Sequence, residues 1–258
     1  MSSQKISERP KIAIVTNNYQ GNAFLPGFIT SLNSQTFLSF GDIDLIFVDS
    51  APSKDVEELM VNRDNFNPNI KIIYISPKED DDIIPYGQGI KDVPQHTDAL
   101  MVIKLDVDDR LAPYGAEIFY REFLAMPEDC VMLTGWELHT DCVGVPFDEI
   151  VNGSLFIPKR LTTQDMTTST KWCRKSCTFG NIVAYNVGVS NAVPNGLELF
   201  VFEGVLATVF KNDKTYKVIP EVIGSHTIHA AGLRHGIHNE EAMLSESQAL
   251  VKAFKDVL

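Results

Sequence analysis

The sequence predicts an α/β fold built on a mostly parallel sheet with helices on its faces. Two observations carry that reading. Short, β-rich apolar runs alternate with segments of helical periodicity over the first half of the chain. Polar clusters also follow the C-terminal ends of those runs, where open α/β sheets bind their ligands. At 258 residues the chain has ample length for a real core.

The elements follow in order. Residues 11–16 (KIAIVT) form a first strand, followed by the polar Asn17-Asn18-Tyr19-Gln20-Gly21-Asn22. Residues 24–37 carry Phe24, Leu25, Phe28, Ile29 and Leu32 at helical spacing. Residues 44–48 (DLIFV) are a second strand ending at Asp49, 54–61 a helix, and 70–75 (IKIIYI) a third strand. The Gly- and Pro-rich segment 77–94 reads as a loop with a short helix, 99–105 as the fourth strand, and 116–124 as the helix after it. Beyond this the pattern is less regular. Strands are expected at 131–138, 147–157, 181–189 and 216–223, a polar, locally basic loop at 162–176, and helices at 197–211 and 240–258.

The most telling stretch is Met101-Val102-Ile103-Lys104-Leu105-Asp106-Val107-Asp108-Asp109-Arg110, an apolar run that ends in three carboxylates within four positions. On an extended strand end, Asp106 and Asp108 would point the same way. Carboxylates converging there repel one another unless a cation sits between them. Hard divalent ions such as Mg2+ or Mn2+ suit an all-oxygen site, and they keep positions open for phosphate oxygens. A calcium loop counted from Asp106 fails, because Leu111 stands where a Gly is required for the sharp turn. Asn17, Asp49 and the Asp106–Asp109 group all fall at predicted strand ends, so one cleft would collect them.

The formal charge of -12 disfavours nucleic-acid binding across the whole surface, though not through a local basic patch. Residues 1–10 are polar and charged, without the apolar core of a signal peptide, and no run is long enough to span a membrane. Cys130, Cys142, Cys173 and Cys177 form no Cys-x-x-Cys pair, so reduced thiols in a cytoplasmic protein are expected. No linker marks a domain boundary, and one domain over 1–258 is expected.

The order of elements resembles nucleotide-sugar glycosyltransferases of the GT-A fold, especially the family 2 group. The likeness rests on 12–16, Phe24-Leu25-Pro26, Ser31-Leu32-Asn33-Ser34-Gln35-Thr36-Phe37, Val48-Asp49-Ser50, the Asp-x-Asp stretch with Arg110-Leu111-Ala112-Pro113, and Tyr216-Lys217-Val218-Ile219-Pro220-Glu221-Val222. It implies a nucleotide-diphospho-sugar transferase whose residues 10–125 bind the donor, a UDP- or dTDP-sugar, and whose half 126–258 binds the acceptor. The resemblance makes Thr16, Asn17, Asn18, Asp49, Asp106 and Val107 donor contacts, with Asp49 on the nucleobase; where the family has an Arg-Asn pair this chain has Tyr86-Gly87-Gln88-Gly89-Ile90-Lys91, from which Lys91 could reach the diphosphate. Asp106, Asp108 and Asp109 would hold Mn2+ or Mg2+, with His226 as an added ligand. Where the family places a Glu-Asp pair as catalytic base, this chain has Phe202-Glu203-Gly204, so Glu203 is the leading base and Glu198 the reserve. Trp136 and Trp172 could stack on a ring, although a buried structural role also suits Trp136.

Several readings stay open. The acceptor is expected to be a glycan or polysaccharide hydroxyl. The alternative is a hydroxymethylated base in DNA, for which Lys159, Arg160, Lys171, Arg174 and Lys175 would contact phosphates. Trp136, Arg174 and Lys175 are the acceptor-side candidates. A nucleotide-sugar-binding domain without turnover would explain the missing Asp of the Glu-Asp pair. A phosphatase of the haloacid-dehalogenase type also opens with Asp-x-Asp, but near its N-terminus, whereas three strands precede the motif here.

Overall fold

The structure, a computed structural model, describes residues 9–77, 86–140, 182–192 and 214–227. The segments 147–157, 162–176, 197–211 and 240–258 lie outside them. Within the described residues, strands β1 (Lys11–Asn18), β2 (Asp42–Asp49), β3 (Ile70–Ile75), β4 (Met101–Lys104), β5 (Arg110–Leu111), β6 (Cys130–Thr140), β7 (Val183–Asn186) and β8 (Thr215–Thr227) form one sheet in the order β3-β2-β1-β4-β7-β6-β8-β5. The helices are α1 (Leu25–Asn33), α2 (Lys54–Val61), α3 (Tyr86–His96) and α4 (Gly115–Leu124). No helix among these residues is long and apolar enough to cross a membrane.

The first half is the expected parallel arrangement: β1 pairs in parallel with β2 and β4, and β2 with β3. Strands β1, β2 and β4 are buried almost throughout, as continuous apolar runs covered on both faces should be. Period-2 alternation divides their side chains. Ile12, Ile14, Ile43, Leu45, Phe47 and Ile103 pack with Leu25 and Phe28 of α1, Val56 and Met60 of α2, and Phe119 of α4. Ala13, Val15, Ile46, Val48 and Val102 are equally buried but lie outside that cluster, on the face covered by α3, which packs against β1 and β2.

The second half is less regular, and its pairing is mixed. Strand β7 runs antiparallel to both β4 and β6, and the two-residue β5 runs antiparallel to β8, while β6 and β8 are parallel with register shifts. Three boundaries also differ from the sequence reading. The helix expected over 24–37 ends at Asn33, and a 3-10 turn covers Thr36–Ser39. The short helix expected within 77–94 is α3, which runs past that segment to His96 with Pro94 inside it. A Cβ on Gly89 would come within 2.5 Å of the Val48 side chain, so the glycine that reads as a loop signal serves close helix-on-strand packing. Finally, β8 continues past Ile223 to Thr227, and that extension matters for the site.

Candidate active site

The C-terminal ends of β1 and β2 sit in register, Asn18 against Asp49. Asn18 donates through Nδ2 to Asp49 Oδ1 at 3.0 Å, and its own Oδ1 accepts from the Gly21 amide at 3.0 Å. The Tyr74 hydroxyl donates to Asp49 Oδ2 at 2.7 Å, so both oxygens of this fully buried carboxylate are held. Burial and the Asp49 charge push the Tyr74 phenol well above its ordinary pKa. Beside them, Ser50 Oγ donates to Asn17 Oδ1 at 2.7 Å. Thr16 is buried, and its hydroxyl has no hydrogen-bond partner.

The loop after β1 turns through Gln20, whose φ of 57° is left-handed, and lands on the carboxylate segment. A Cβ on Gly21 would sit 2.7 Å from the Val107 side chain, so only glycine permits this approach. The polar ends of β1 and β2 and the Asp-rich segment are therefore contiguous.

That segment is a turn rather than the strand edge expected from period-2 geometry. Strand β4 stops at Lys104, and the Asp109 amide donates back to the Asp106 carbonyl at 3.0 Å. The turn gathers one carboxylate oxygen from each of Asp106, Asp108 and Asp109 within 4.8 Å of one another. Asp106 Oδ2 accepts from Lys104 Nζ at 2.6 Å. Asp109, which is fully buried, accepts through Oδ1 from the Thr227 amide at 3.0 Å and lies 2.9 Å from His226 Nδ1. Its Oδ2 has no partner. A buried carboxylate oxygen with no donor beside two further carboxylates is an environment that a divalent cation would complete. The three residues fit such an ion.

His226 is not part of that converging group. Its Nδ1 lies 2.9 Å from Asp109 Oδ1, so it stands next to the carboxylate trio. Burial alone would lower its pKa, but the Asp109 charge and hydrogen bond, with Glu137 and Asp108, outweigh this and raise it to about 9. Glu137 is itself fully buried and accepts from the Ile182 amide at 2.6 Å.

Two further side chains hold the turn. The Arg110 guanidinium, buried, donates to the carbonyls of Asp109 at 2.7 Å, Val107 at 3.3 Å and Phe24 at 3.3 Å. Burial lowers its pKa, against the raising effect of Asp109 and Asp108. Gln35 explains part of the Ser-Leu-Asn-Ser-Gln-Thr-Phe stretch. Its amide donates to Ser31 O at 2.8 Å and Ala112 O at 2.9 Å, and its Oε1 accepts from the Ala116 amide at 3.1 Å. It thereby ties α1 to the chain leaving the carboxylate turn and to the start of α4. Strand β5 then pairs Arg110 with Ser225 of β8, and a Cβ on Gly224 would come within 2.4 Å of the Arg110 carbonyl. This close pairing delivers His226 and Thr227 to Asp109.

The structure thus brings together Asn18, Asp49, Val107 and the three aspartates, with Asn17 adjacent. Lys91 is half-buried on α3. Trp136 lies in β6, opposite Val222 of β8. Glu198, Glu203, Trp172, Arg174 and Lys175, with the rest of the basic patch, fall outside the described residues. Sequence reasoning overlooked Lys104, Tyr74, Thr227 and Glu137. Only Lys104 left a signal there, a charge inside an apolar strand two positions before Asp106.

No protein-family model matches this chain, and no curated protein matches it in sequence. Solved structures do match in fold. The mannosyltransferase PcManGT from Pyrobaculum calidifontis, in complex with GDP-Man and Mn2+, superposes at a TM-score of 0.62 and 10% identity, over 96% of this chain and 65% of that one. Glucosyl-3-phosphoglycerate synthase from Mycobacterium tuberculosis, in complex with Mn2+, UDP and glucosyl-3-phosphoglycerate, gives 0.61 and 13%, over 97% and 81%. TarS 1-349 of S. aureus in complex with UDP gives 0.56 and 13%, over 93% and 64%, so this chain spans less than two thirds of that structure. The chain has the GT-A fold.

Proposed function

We propose that the protein is a metal-dependent glycosyltransferase that moves a sugar from a nucleotide-diphosphate donor to an acceptor hydroxyl. One observation carries the reading. The turn after β4 converges three carboxylates, one with a buried, partnerless oxygen, beside the polar side chains at the ends of β1 and β2. Asp106, Asp108 and Asp109 would hold Mn2+ or Mg2+, which supplies positive charge to a departing diphosphate. The GT-A fold and the cations and nucleotides named for the solved neighbours support the same assignment.

The chain's own residues then have defined work. Asp49, fixed by Asn18 and Tyr74, is the residue assigned to the nucleobase, with Thr16 and Asn17 at the end of the neighbouring strand. Val107 packs on Gly21 and closes the floor between base and diphosphate, and Lys91 is the candidate cation for the phosphates. Arg110 and Gln35 hold the carboxylate turn in shape, and His226 with Thr227 orients Asp109. Glu203 takes the acceptor proton as the bond from the sugar carbon to the diphosphate oxygen breaks and the bond to the acceptor oxygen forms; Glu198 is the reserve. The acceptor is a glycan hydroxyl, contacted by Trp136, Arg174 and Lys175.

The test is turnover of a panel of UDP-, dTDP- and GDP-sugars with Mn2+ or with chelator, followed by mass spectrometry of the released nucleotide. Release of a nucleoside diphosphate from one donor, abolished by chelator, supports the reading. Tight binding with no turnover, with or without candidate glycans, would move the chain to the non-catalytic alternative. Transfer that requires hydroxymethylated DNA and falls steeply with salt would replace the glycan acceptor.

A further inference from the structure

We propose that Lys104 is a built-in counter-cation of the carboxylate site, one that holds down its affinity for a free divalent ion and so makes cation binding depend on the diphosphate. The inference rests on the cation reading above and goes beyond it. Lys104 stands in a central strand, between Val15 of β1 and Val183 of β7, and is only 4% exposed. A buried ammonium there is costly unless it is paired, and the rest of β4 is apolar. Its partner is Asp106 Oδ2, 2.6 Å away, one of the three carboxylates that converge after the strand.

The other cationic groups act differently. Arg110 donates to the backbone carbonyls of Asp109, Val107 and Phe24, and so shapes the turn. His226 lies against Asp109 Oδ1, with the Thr227 amide on the same oxygen. Among the described residues, only Lys104 puts an aliphatic ammonium on a carboxylate of the trio. A divalent ion bound to Asp106 at the usual oxygen distance of about 2.0–2.6 Å lies within a few ångströms of that ammonium and is repelled by it. A diphosphate adds negative charge on the cation's open side and offsets the repulsion. Cation and nucleotide then raise one another's affinity by the same factor.

The experiment measures Mn2+ binding to metal-stripped protein from the electron paramagnetic resonance signal of free Mn2+, alone and with UDP or GDP. Lys104→Met removes the charge, Lys104→Gln removes it but keeps a donor for Asp106, and Lys104→Arg keeps it. The expected result is roughly tenfold or greater tightening of Mn2+ binding without nucleotide in the Met and Gln variants, and near wild-type affinity in the Arg variant. The affinity gain on adding nucleotide should shrink correspondingly in Met and Gln. Circular dichroism checks folding, and should the Met variant not fold, the Gln variant carries the test. Unchanged or weaker Mn2+ binding in Lys104→Gln overturns the proposal and leaves Lys104 as a prop for Asp106. No Mn2+ binding by any variant, with or without nucleotide, overturns the cation reading itself.

Discussion

Asp108→Asn should make the metal-free protein more stable while removing its response to Mn2+. The carboxylate oxygens of the trio lie within 4.8 Å of one another. Two unit charges at that distance repel by roughly 3 kcal/mol at an effective dielectric constant of about 20, and by under 1 kcal/mol in water. Asp108 faces two such neighbours, and the nearby charges of Lys104, Arg110 and His226 offset part of the repulsion. A net gain of about 1–2 kcal/mol is expected, or about 2–8 °C in Tm for a chain of this size. Mn2+ at a hundredfold excess over its Kd should stabilise the wild type by about 2.7 kcal/mol and the variant far less, so the order of the two Tm values reverses on adding the ion. Differential scanning calorimetry with chelator and with Mn2+ reads both limits. A metal-free Tm below wild type, or equal Mn2+ shifts in both proteins, would refute the electrostatic reasoning.

Asp49→Asn keeps the shape of a side chain that anchors Asn18 and Tyr74, so it should raise KM for the donor with kcat little changed; a collapse of kcat at constant KM would place Asp49 in the chemistry. Glu203→Gln should cut transfer by roughly 10²–10⁴-fold while donor and Mn2+ binding persist; if Glu198→Gln is the inactive variant, the base is Glu198. The His226 pKa is raised from 6.5 to about 9, so its contribution to the metal-free fold is fully present below about pH 6.5 and lost as pH rises through 9. That loss is at most roughly 3 kcal/mol by linkage. Denaturant melts across pH 6–10 should show the decline in wild type, and His226→Gln should flatten it.

Much of the parallel half was legible because β1, β2 and β4 are buried on both faces and therefore read as continuous apolar runs. The three aspartates stood out for the complementary reason: like charges packed after such a run are conspicuous. Their geometry was not legible, since period 2 places carboxylates correctly only while the chain stays extended, and it turns at Asp106. The short helix expected in 77–94 runs on to His96 as α3, because packing against Val48 overrides the local breakers Gly87, Gly89 and Pro94. Strand β5 is two residues long and has no pattern of its own. The His226–Asp109 contact joins residues 117 positions apart, and it depends on a close pairing at Gly224 that no local rule anticipates. Lys104 was visible as a charge in an apolar strand, but its meaning needed the position of Asp106.

The most direct test of the central claim is isothermal titration calorimetry of UDP and GDP into the metal-stripped protein, with and without Mn2+. If Asp106, Asp108 and Asp109 hold a cation that bridges to a donor diphosphate, one of these nucleotides should bind well only when Mn2+ is present, and Asp108→Asn should abolish that dependence. Binding of equal strength in chelator, or no binding of either nucleotide by the folded protein with Mn2+, would contradict it.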